Sequence, residues 1–278
     1  MIDLGEIQIS YHNFGSLWLD GGAMFGSVPK NLWAKKITPD EENRIELATN
    51  CLLIYEKERI FLVDVGVGDK MNEKLQKIYN VQNRNFGLFP HHPDQITDII
   101  LTHLHFDHAG GISYIDSASG ENNLRFPKAR VHLQKSNYEL ALAPNIRERA
   151  SYLKENIEPL SKTELNLIDQ RTHDLTTNIK LHRIDGHTSG QQIVEVIGKN
   201  RSLIYLSDLC PTSHHLPLAY HMGYDMCAAT LIEEKKLFLS KAAKENIILF
   251  FEHDTTLQAA TIKEDEKVGY VIDKKIDI

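Results

Sequence analysis

The sequence predicts an α/β fold with mixed β-sheets. Segments with strand-like patterns alternate with helical ones, and in places two strand-like segments follow one another across a short turn. The clearest such hairpin joins residues 52–55 to residues 60–64 across the charged turn 56–59. Hairpins place strands antiparallel and strand–helix–strand units place them parallel, so the combination favours mixed sheets over a doubly wound parallel sheet. No Pro/Gly/Ser-rich linker divides the chain, and we therefore expect a single domain over residues 1–278.

The remaining elements follow from the spacing and the run length of apolar residues. We expect strands at residues 7–14, 98–101, 130–133, 179–184, 191–197, 203–208 and 247–253. We expect helices at residues 69–79, 94–97, 135–143, 145–156 and 228–245. A glycine-rich apolar segment, residues 20–30, follows the first strand.

The densest group of chemically active side chains lies in Thr102–Gly111, directly after the apolar run 99–101. Neutral imidazole nitrogens and carboxylate oxygens are the usual ligands of zinc and similar divalent ions. The first two histidines are two residues apart and face the same way on an extended chain, whereas the last two candidate ligands come where the chain turns into a helix. The spacing therefore indicates two metal ions. The candidate ligands are His103, His105, Asp107 and His108.

Three more candidate ligands occur farther along the chain, where short apolar runs end. They are His187 in a Gly-His-Thr turn, Asp208 and His253. A single histidine in such a place is more often an ordinary surface or packing residue, and a single aspartate is commonly a helix cap or turn residue. The dense group upstream changes this interpretation because two coordination shells need further ligands. The ends of strands are also where open α/β sheets place their ligands.

The motif at 103–108, with the three downstream residues in the same order, resembles the HxHxDH pattern of the metallo-β-lactamase superfamily of metallohydrolases. The resemblance implies an αββα sandwich, in which two mixed β-sheets are flanked by helices. It also implies how the ligands divide between the ions. His103, His105 and His187 would bind the first ion, Asp107, His108 and His253 would bind the second, and Asp208 would bridge both.

Such a centre performs hydrolysis. A metal ion lowers the pKa of bound water from about 15.7 to about 7, so a metal-bridging hydroxide is available to attack a carbonyl or phosphoryl centre. Asp107 can also accept and deliver the proton as the general acid/base. We expect two divalent ions, with zinc favoured and iron, manganese or cobalt as alternatives. Asp64 is expected to hydrogen-bond a ligand histidine, with an ordinary strand-end turn as the alternative.

Segments outside the ligands indicate a branch of that superfamily. Residues 20–30, 40–45 and 207–212 are similar to the quorum-quenching N-acyl-homoserine lactonases and the related methyl-parathion-hydrolase-like enzymes. The resemblance implies that the chain opens the lactone ring of a small-molecule substrate with an apolar tail. The best-known of those lactonases place a tyrosine three residues after the bridging aspartate, where this chain has Pro211.

Candidate substrate contacts come from the same segments and from the loop after the bridging aspartate. A methionine and two aromatic residues near position 25 suit a flexible apolar wall for an acyl chain, with plain core packing as the alternative. One of two later tyrosines is expected to replace the missing tyrosine, and a histidine beside them is expected to touch the substrate. The set is Met24, Phe25, Trp33, His214, Tyr220 and Tyr224.

Composition excludes several classes of protein. The net charge is −7 and no Lys/Arg stripe stands out, so we expect no nucleic-acid binding. No apolar run approaches the ~20 residues that span a bilayer, and no secretory signal is present, so we expect no membrane association. The three cysteines show no CxxC spacing, which favours reduced thiols and a cytoplasmic location. The sequence leaves the oligomeric state open, and only the base rate favours a homodimer.

Two alternatives to a lactonase remain at the level of sequence. One is another hydrolysis at the same metal centre, on an organophosphate triester, an aryl ester or a thioester. The other is a protein of a different class, which binds a ligand on a hydrolase fold without catalysis. The complete set of seven candidate ligands favours catalysis over this second alternative.

Overall fold

The computed structural model describes residues 1–83 and 86–278. The helices are α1 (Gly21–Phe25), α2 (Lys30–Trp33), α3 (Glu73–Ile78), α4 (Phe106–Ala109), α5 (Lys135–Leu142), α6 (Lys154–Ile157) and α7 (Ala228–Glu245). The strands are β1 (Ile2–Asp3), β2 (Ile7–Asp20), β3 (Arg44–Glu56), β4 (Arg59–Val63), β5 (Gln82–Asn83), β6 (Asp98–Ile100), β7 (Ser113–Ile115), β8 (Asn122–Leu124), β9 (Arg130–Gln134), β10 (Leu165–Ile168), β11 (Thr172–Asp174), β12 (Ile179–Ile184), β13 (Gln191–Ile197), β14 (Ser202–Tyr205), β15 (Ile248–Phe250), β16 (Ala259–Asp265) and β17 (Gly269–Lys275).

The strands form two large sheets and a small hairpin within the described residues. The first sheet has the order β1-β2-β3-β4-β6-β9-β10, with β5 beside β2, and the second has the order β11-β12-β13-β14-β15-β16-β17. Strands β4, β6, β9 and β10 pair in parallel, as do β14 and β15, whereas the other pairs are antiparallel. The prediction of mixed sheets is therefore confirmed.

The hydrophobic core shows how the layers stack. Alternate residues of a strand face opposite sides of its sheet. Tyr205 of β14 and Phe250 of β15 pack against residues of the first sheet such as Phe61, so this cluster lies between the sheets. Their neighbours Ile204 and Leu249 pack instead against α7. A third cluster joins the outer face of the first sheet to its own helices. The result is the helix–sheet–sheet–helix arrangement that the sequence analysis expects.

The predicted helix over 145–156 is wrong for most of that range, because only Lys154–Ile157 is α-helical there. One helical turn does form, in which the backbone N–H of Arg149 donates to the carbonyl of Asn145 at 3.0 Å. Between this turn and α6 the carbonyl of Ser151 accepts from the N–H of Phe106 at 2.9 Å, so it does not take part in a continuous helix. A tertiary contact therefore overrides the local pattern.

Other predicted elements differ mainly in their ends. Helix α3 begins only after Asn72, whose side chain accepts from the N–H of Leu75 and caps the helix. The predicted strand over 203–208 ends at Tyr205, and Ser207–Leu209 forms a 3₁₀ turn. The hairpin β16–β17 is absent from the prediction, because its charged outward residues obscure the alternation. No helix among the described residues is long and apolar enough to cross a membrane.

Candidate metal centre

The site lies where strands of the two sheets end side by side. In the first sheet, β4 runs into Asp64 and the parallel strand β6 runs into His103. In the second sheet, β14 runs toward Asp208 and the parallel strand β15 runs toward His253. Because parallel strands end at the same edge of a sheet, these side chains converge without any long loop.

Asp64 organises the loop that follows β6. Its carboxylate accepts from the backbone N–H of Thr102 and from the hydroxyl of Thr102, both at 2.7 Å. The same carboxylate lies 3.1 Å from Nδ1 of His108. Asp64 itself has φ of +57°, a left-handed conformation that aspartate tolerates better than most residues. One buried carboxylate thus fixes both the start and the end of the histidine-rich motif.

Helix α4 and the two glycines after it set the end of the motif. The N–H of Val65 donates to the carbonyl of His108 at 2.8 Å, which ties α4 to the chain after β4. Gly110 has an ordinary φ of −61°, so it is not needed for an unusual turn. A Cβ at Gly110 would instead overlap the carbonyl of Val67, and a Cβ at Gly111 would overlap the carbonyl of Val65. Close approach of two backbone segments therefore requires glycine here.

The seven candidate ligands form two neighbouring groups. The atoms of each group lie within 4.8 Å of one another. Nε2 of His187 lies 3.1 Å from Oδ2 of Asp208, and Nε2 of His253 lies 3.1 Å from Oδ1 of the same carboxylate. Asp208 therefore stands between the groups, with Oδ2 toward His187 and Oδ1 toward His253, and Oδ2 also lies 3.5 Å from Nε2 of His108. The first group is His103, His105, His187 and Asp208, and the second is Asp107, His108 and His253.

Acceptors hold the outward nitrogens of two of these histidines. Nδ1 of His253 donates to the carbonyl of Ala48 at 2.7 Å. Nδ1 of His187 donates to Oδ1 of Asp225 at 2.9 Å. A ring that donates from Nδ1 in its neutral form keeps a lone pair on Nε2, so these contacts aim basic nitrogens into the centre.

Lone pairs and carboxylates meet at the centre with few donors to satisfy them. Nε2 of His103 is buried and has no hydrogen-bond partner among the described residues. Nε2 of His253 faces Nε2 of His108 at 3.3 Å, and two imidazole nitrogens at this distance need a proton or a cation between them. This donor set fits divalent cations such as zinc.

The electrostatics of the protein without metal agree with that fit. Burial, reinforced by the neighbouring imidazoles, lowers the pKa of His103 well below its usual value. Burial opposes protonation of His253 as well, yet hydrogen bonding to Asp208 and its charge raise the pKa of His253 to about 9. Burial likewise disfavours the charged form of Asp208, but the neighbouring His108 and His187 hold its pKa well below the usual range. Some of the rings therefore carry protons that supply the positive charge the carboxylates require.

Above the two groups lies a cavity of about 300 Å³. His105, Asp107, His187, Asp208 and His253 line its floor. Its walls are largely apolar and aromatic, and Tyr79 stacks on Phe106 with ring centroids 5.1 Å apart. Such a cavity suits a small ligand with an apolar portion. The apolar wall includes Leu19, Met24, Leu47, Phe106 and Met222.

The predicted substrate contacts fall into different places. Met24 and Tyr224 line this cavity. Phe25 and Trp33 do not line it; both are fully buried and stack on each other with centroids 5.5 Å apart, in the same hydrophobic cluster as Met24. Tyr220 contacts the edge of the Phe25 ring. His214 lines a separate cavity, which shares His253 with the first.

Comparison with known families bears on this geometry. Residues 44–236 match the model of the metallo-beta-lactamase superfamily. The chain belongs to this superfamily. It is accordingly a metal-dependent hydrolase, and the layered fold is that of the metallo-beta-lactamase superfamily.

Several relatives within the superfamily are lactonases. An N-acyl homoserine lactonase of Bacillus thuringiensis is 27% identical over 236 residues, which cover 76% of this chain and 82% of that protein. A probable metal-dependent hydrolase from Staphylococcus aureus superposes with a TM-score of 0.87 at 27% identity, over 99% of this chain and 100% of its own. AidC, a dizinc quorum-quenching lactonase in complex with the product N-hexanoyl-L-homoserine, superposes with a TM-score of 0.77 at 22% identity, over 100% of this chain and 97% of its own. At that identity the likeness to AidC shows the shared fold alone.

Two residues of this metallo-beta-lactamase-superfamily site are absent from the sequence analysis. Asp225 holds His187, but it follows no apolar run and nothing in its local sequence distinguishes it from a loop aspartate. Glu252 lies 3.1 Å from Nδ1 of His108, and burial raises the pKa of Glu252 to about 7. Glutamate is almost never fully buried unless it is paired, so the one signal for Glu252 in the sequence is its place between the apolar run 247–251 and His253.

Proposed function

We propose that this chain is a dinuclear metal-dependent lactonase that opens the ring of N-acyl homoserine lactones and thereby quenches quorum sensing. The observation that carries the proposal is the position of Asp208, which has one oxygen toward His187 and the other toward His253 at the floor of an apolar-walled cavity. The lactonase relatives at 27% identity support the same substrate class.

The first ion would be held by His103, His105 and His187, and the second by Asp107, His108 and His253, with Asp208 shared. We infer zinc from the mixture of imidazole and carboxylate donors. When bound, the two ions supply an activated water and polarise the scissile carbonyl. The shared carboxylate of Asp208 would offset the repulsion between the two dications.

Asp107 acts as the general acid/base. It lines the cavity, and its Oδ2 lies 3.8 Å from Nε2 of His108 and 3.9 Å from Nε2 of His253. Ring opening adds water to the lactone carbonyl and breaks the ring C–O bond, which leaves a carboxylic acid and an alkoxide, and the acid then releases its proton to solvent. Asp107 takes the proton from the water and delivers it to the alkoxide, so the product is a free alcohol.

The apolar wall orients the substrate. Met24 and Phe106 face the cavity, and Phe25 and Trp33 support Met24 from behind as part of one cluster. An acyl chain that lies against this wall excludes water from the reacting carbonyl. Tyr224 lines the same cavity, so of the two tyrosines expected to replace the family residue at Pro211, Tyr224 rather than Tyr220 is placed to contact the substrate.

The test is turnover by the purified, metal-loaded protein. We expect N-hexanoyl homoserine lactone to gain one water, as measured by product mass, and Asp107→Asn to lower kcat by 10²- to 10⁴-fold, the range typical for removal of a general acid/base. Asp116→Asn is the matched control, because Asp116 accepts backbone N–H groups in an exposed turn and belongs to neither candidate ligand group. Efficient cleavage of paraoxon, an aryl ester or S-lactoylglutathione without lactone turnover would contradict the lactonase assignment.

The cellular setting follows from separate observations. Cys51 and Cys210 are free and buried, and Cys227 is free and exposed. Free thiols support the proposed cytoplasmic location. The homodimer and the single domain over 1–278 stay predictions.

A further inference from the structure

A basic side chain lies at the cavity whose floor is the metal centre. Arg147 belongs to the segment between α5 and α6 and lines the cavity, although part of it is exposed to solvent. Among the cavity-lining residues that the structure describes, it is the one Lys or Arg, and the charged residues Asp107, Glu148 and Asp208 are all acidic. Arg147 is therefore the side chain of this set that can donate several hydrogen bonds to a ligand.

The guanidinium is held in one orientation by the opposite wall. Its Nη2 donates to the carbonyl of Gly223 at 2.5 Å and to the carbonyl of Asp225 at 3.2 Å. The backbone N–H of Arg147 donates to the side chain of Asn145 at 2.9 Å, which fixes the base of the side chain. Two anchored points leave a planar group with little freedom, so the entropy lost on ligand binding is small.

The remaining donors of Arg147 have no partner among the residues that the structure describes. Among the described residues, Nε and Nη1 make no hydrogen bond, and the guanidinium forms no ion pair. The adjacent Glu148 does not neutralise it, because its carboxylate accepts from the hydroxyl of Thr188 and from the side-chain amide of Asn145. Arg147 thus offers unused, oriented N–H groups beside the space that the ligand occupies.

We propose that Arg147 is a specificity-determining residue that donates a hydrogen bond to the exocyclic amide carbonyl of an N-acyl homoserine lactone. The inference rests on the proposed function, since it places the lactone ring at the floor of the cavity and the acyl amide nearer the opening. In this substrate the amide carbonyl is the oxygen acceptor outside the reacting ring. A simple alkyl γ-lactone lacks it and gains nothing from Arg147.

The test compares two opened ligands that differ in the amide. Binding of N-hexanoyl-L-homoserine and of 4-hydroxydecanoate to the metal-loaded full-length protein is measured by calorimetry, for wild type, Arg147→Met, Arg147→Lys and Arg149→Met. Both ligands carry one carboxylate and one hydroxyl, so the general attraction of a cation for an anion cancels. Arg149 is a matched control because it is exposed, two residues away, and does not line the cavity.

We expect Arg147→Met to weaken binding of the amide ligand roughly tenfold and to change binding of 4-hydroxydecanoate by less than about twofold, because a charge-assisted hydrogen bond is lost in only one case. Arg147→Lys retains part of the binding, and Arg149→Met changes neither ligand. Equal weakening of both ligands by Arg147→Met would mean that the residue only braces the loop, and would overturn the proposal, as would no change in either. Turnover of the two corresponding lactones by the wild type is measured separately. Its absence contradicts the proposed function, while the binding comparison still decides the role of Arg147.

Discussion

Replacement of Asp225 by asparagine tests how the metal centre is held. The carboxylate is fully buried and accepts from two donors, Nδ1 of His187 at 2.9 Å and the N–H of Met222 at 2.7 Å. Asparagine has the same shape but only one acceptor oxygen, so one of the two donors faces an NH₂ group. If that donor is His187, its neutral ring changes to the tautomer with the proton on Nε2, where a metal ligand needs a lone pair.

The magnitude follows from the unsatisfied donor. Leaving a buried donor without an acceptor costs about 1–3 kcal/mol. If the loss falls on the ligand histidine, about 10- to 100-fold in metal affinity is the usual effect of removing such a partner. We therefore expect Asp225→Asn to bind the metal at the His103/His105/His187 group 10- to 100-fold more weakly, with the metal-free protein less stable by about 1–3 kcal/mol.

Competition with a chromophoric chelator measures the affinity, and urea unfolding of the chelated protein measures the stability. Asp116→Asn is again the control, because Asp116, like Asp225, accepts from two N–H donors but lies in an exposed turn. The assignment of Asp225 as the partner that orients His187 would be refuted by a metal affinity within twofold of wild type together with an unchanged free energy of unfolding, since the loss would then fall neither on His187 nor on the N–H of Met222.

Three further changes have defined outcomes. The carboxylate of Asp208 raises the pKa of His253 to about 9, against the effect of burial. The contribution of His253 to the stability of the metal-free protein is therefore complete below about pH 6.5 and is lost as the pH rises toward 9. Urea unfolding at pH 6.5 and at pH 8 should show this decrease. Lys235 is fully buried and donates to carbonyls of the segment Pro217–Tyr220, so Lys235→Met should cost about 1–3 kcal/mol and speed hydrogen exchange in that segment; unchanged exchange there argues against the anchor. Gly110→Ala should lower both the melting temperature and the metal content, because its Cβ overlaps the carbonyl of Val67; a variant with wild-type melting temperature would show that the two backbone segments are not tightly packed.

The parts of the site that the sequence predicts are those in which residue type and position together are unusual. Three histidines and an aspartate within 103–108 have no packing explanation, and each downstream ligand ends a short apolar run. Strand direction then brings these ligands together, because the parallel pairs β4–β6 and β14–β15 each end at one edge of a sheet. For these reasons the mixed α/β layers could be expected before any coordinates.

The parts that the sequence does not predict depend on contacts between distant segments. In the sequence Asp225 resembles any loop aspartate, and only the fold brings its carboxylate to 2.9 Å from Nδ1 of His187. Phe25 and Trp33 have the composition of a binding wall, yet the fold turns them into the core behind Met24. The helix expected at 145–156 is reduced to an isolated turn and α6, and between them the carbonyl of Ser151 accepts from the N–H of Phe106. In each case a partner more than 35 residues away, or a burial that no local pattern encodes, decides the outcome.

The most direct test of the whole account is to locate the metal ions. Crystals of the protein purified in metal-replete buffer are measured at the absorption edge of zinc, and elemental analysis is run on the same preparation. We predict two anomalous peaks, one among His103, His105 and His187 and one among Asp107, His108 and His253, with Asp208 between them and about two ions per chain. A single peak, or none among these seven side chains, would contradict the dinuclear centre on which the proposed chemistry depends.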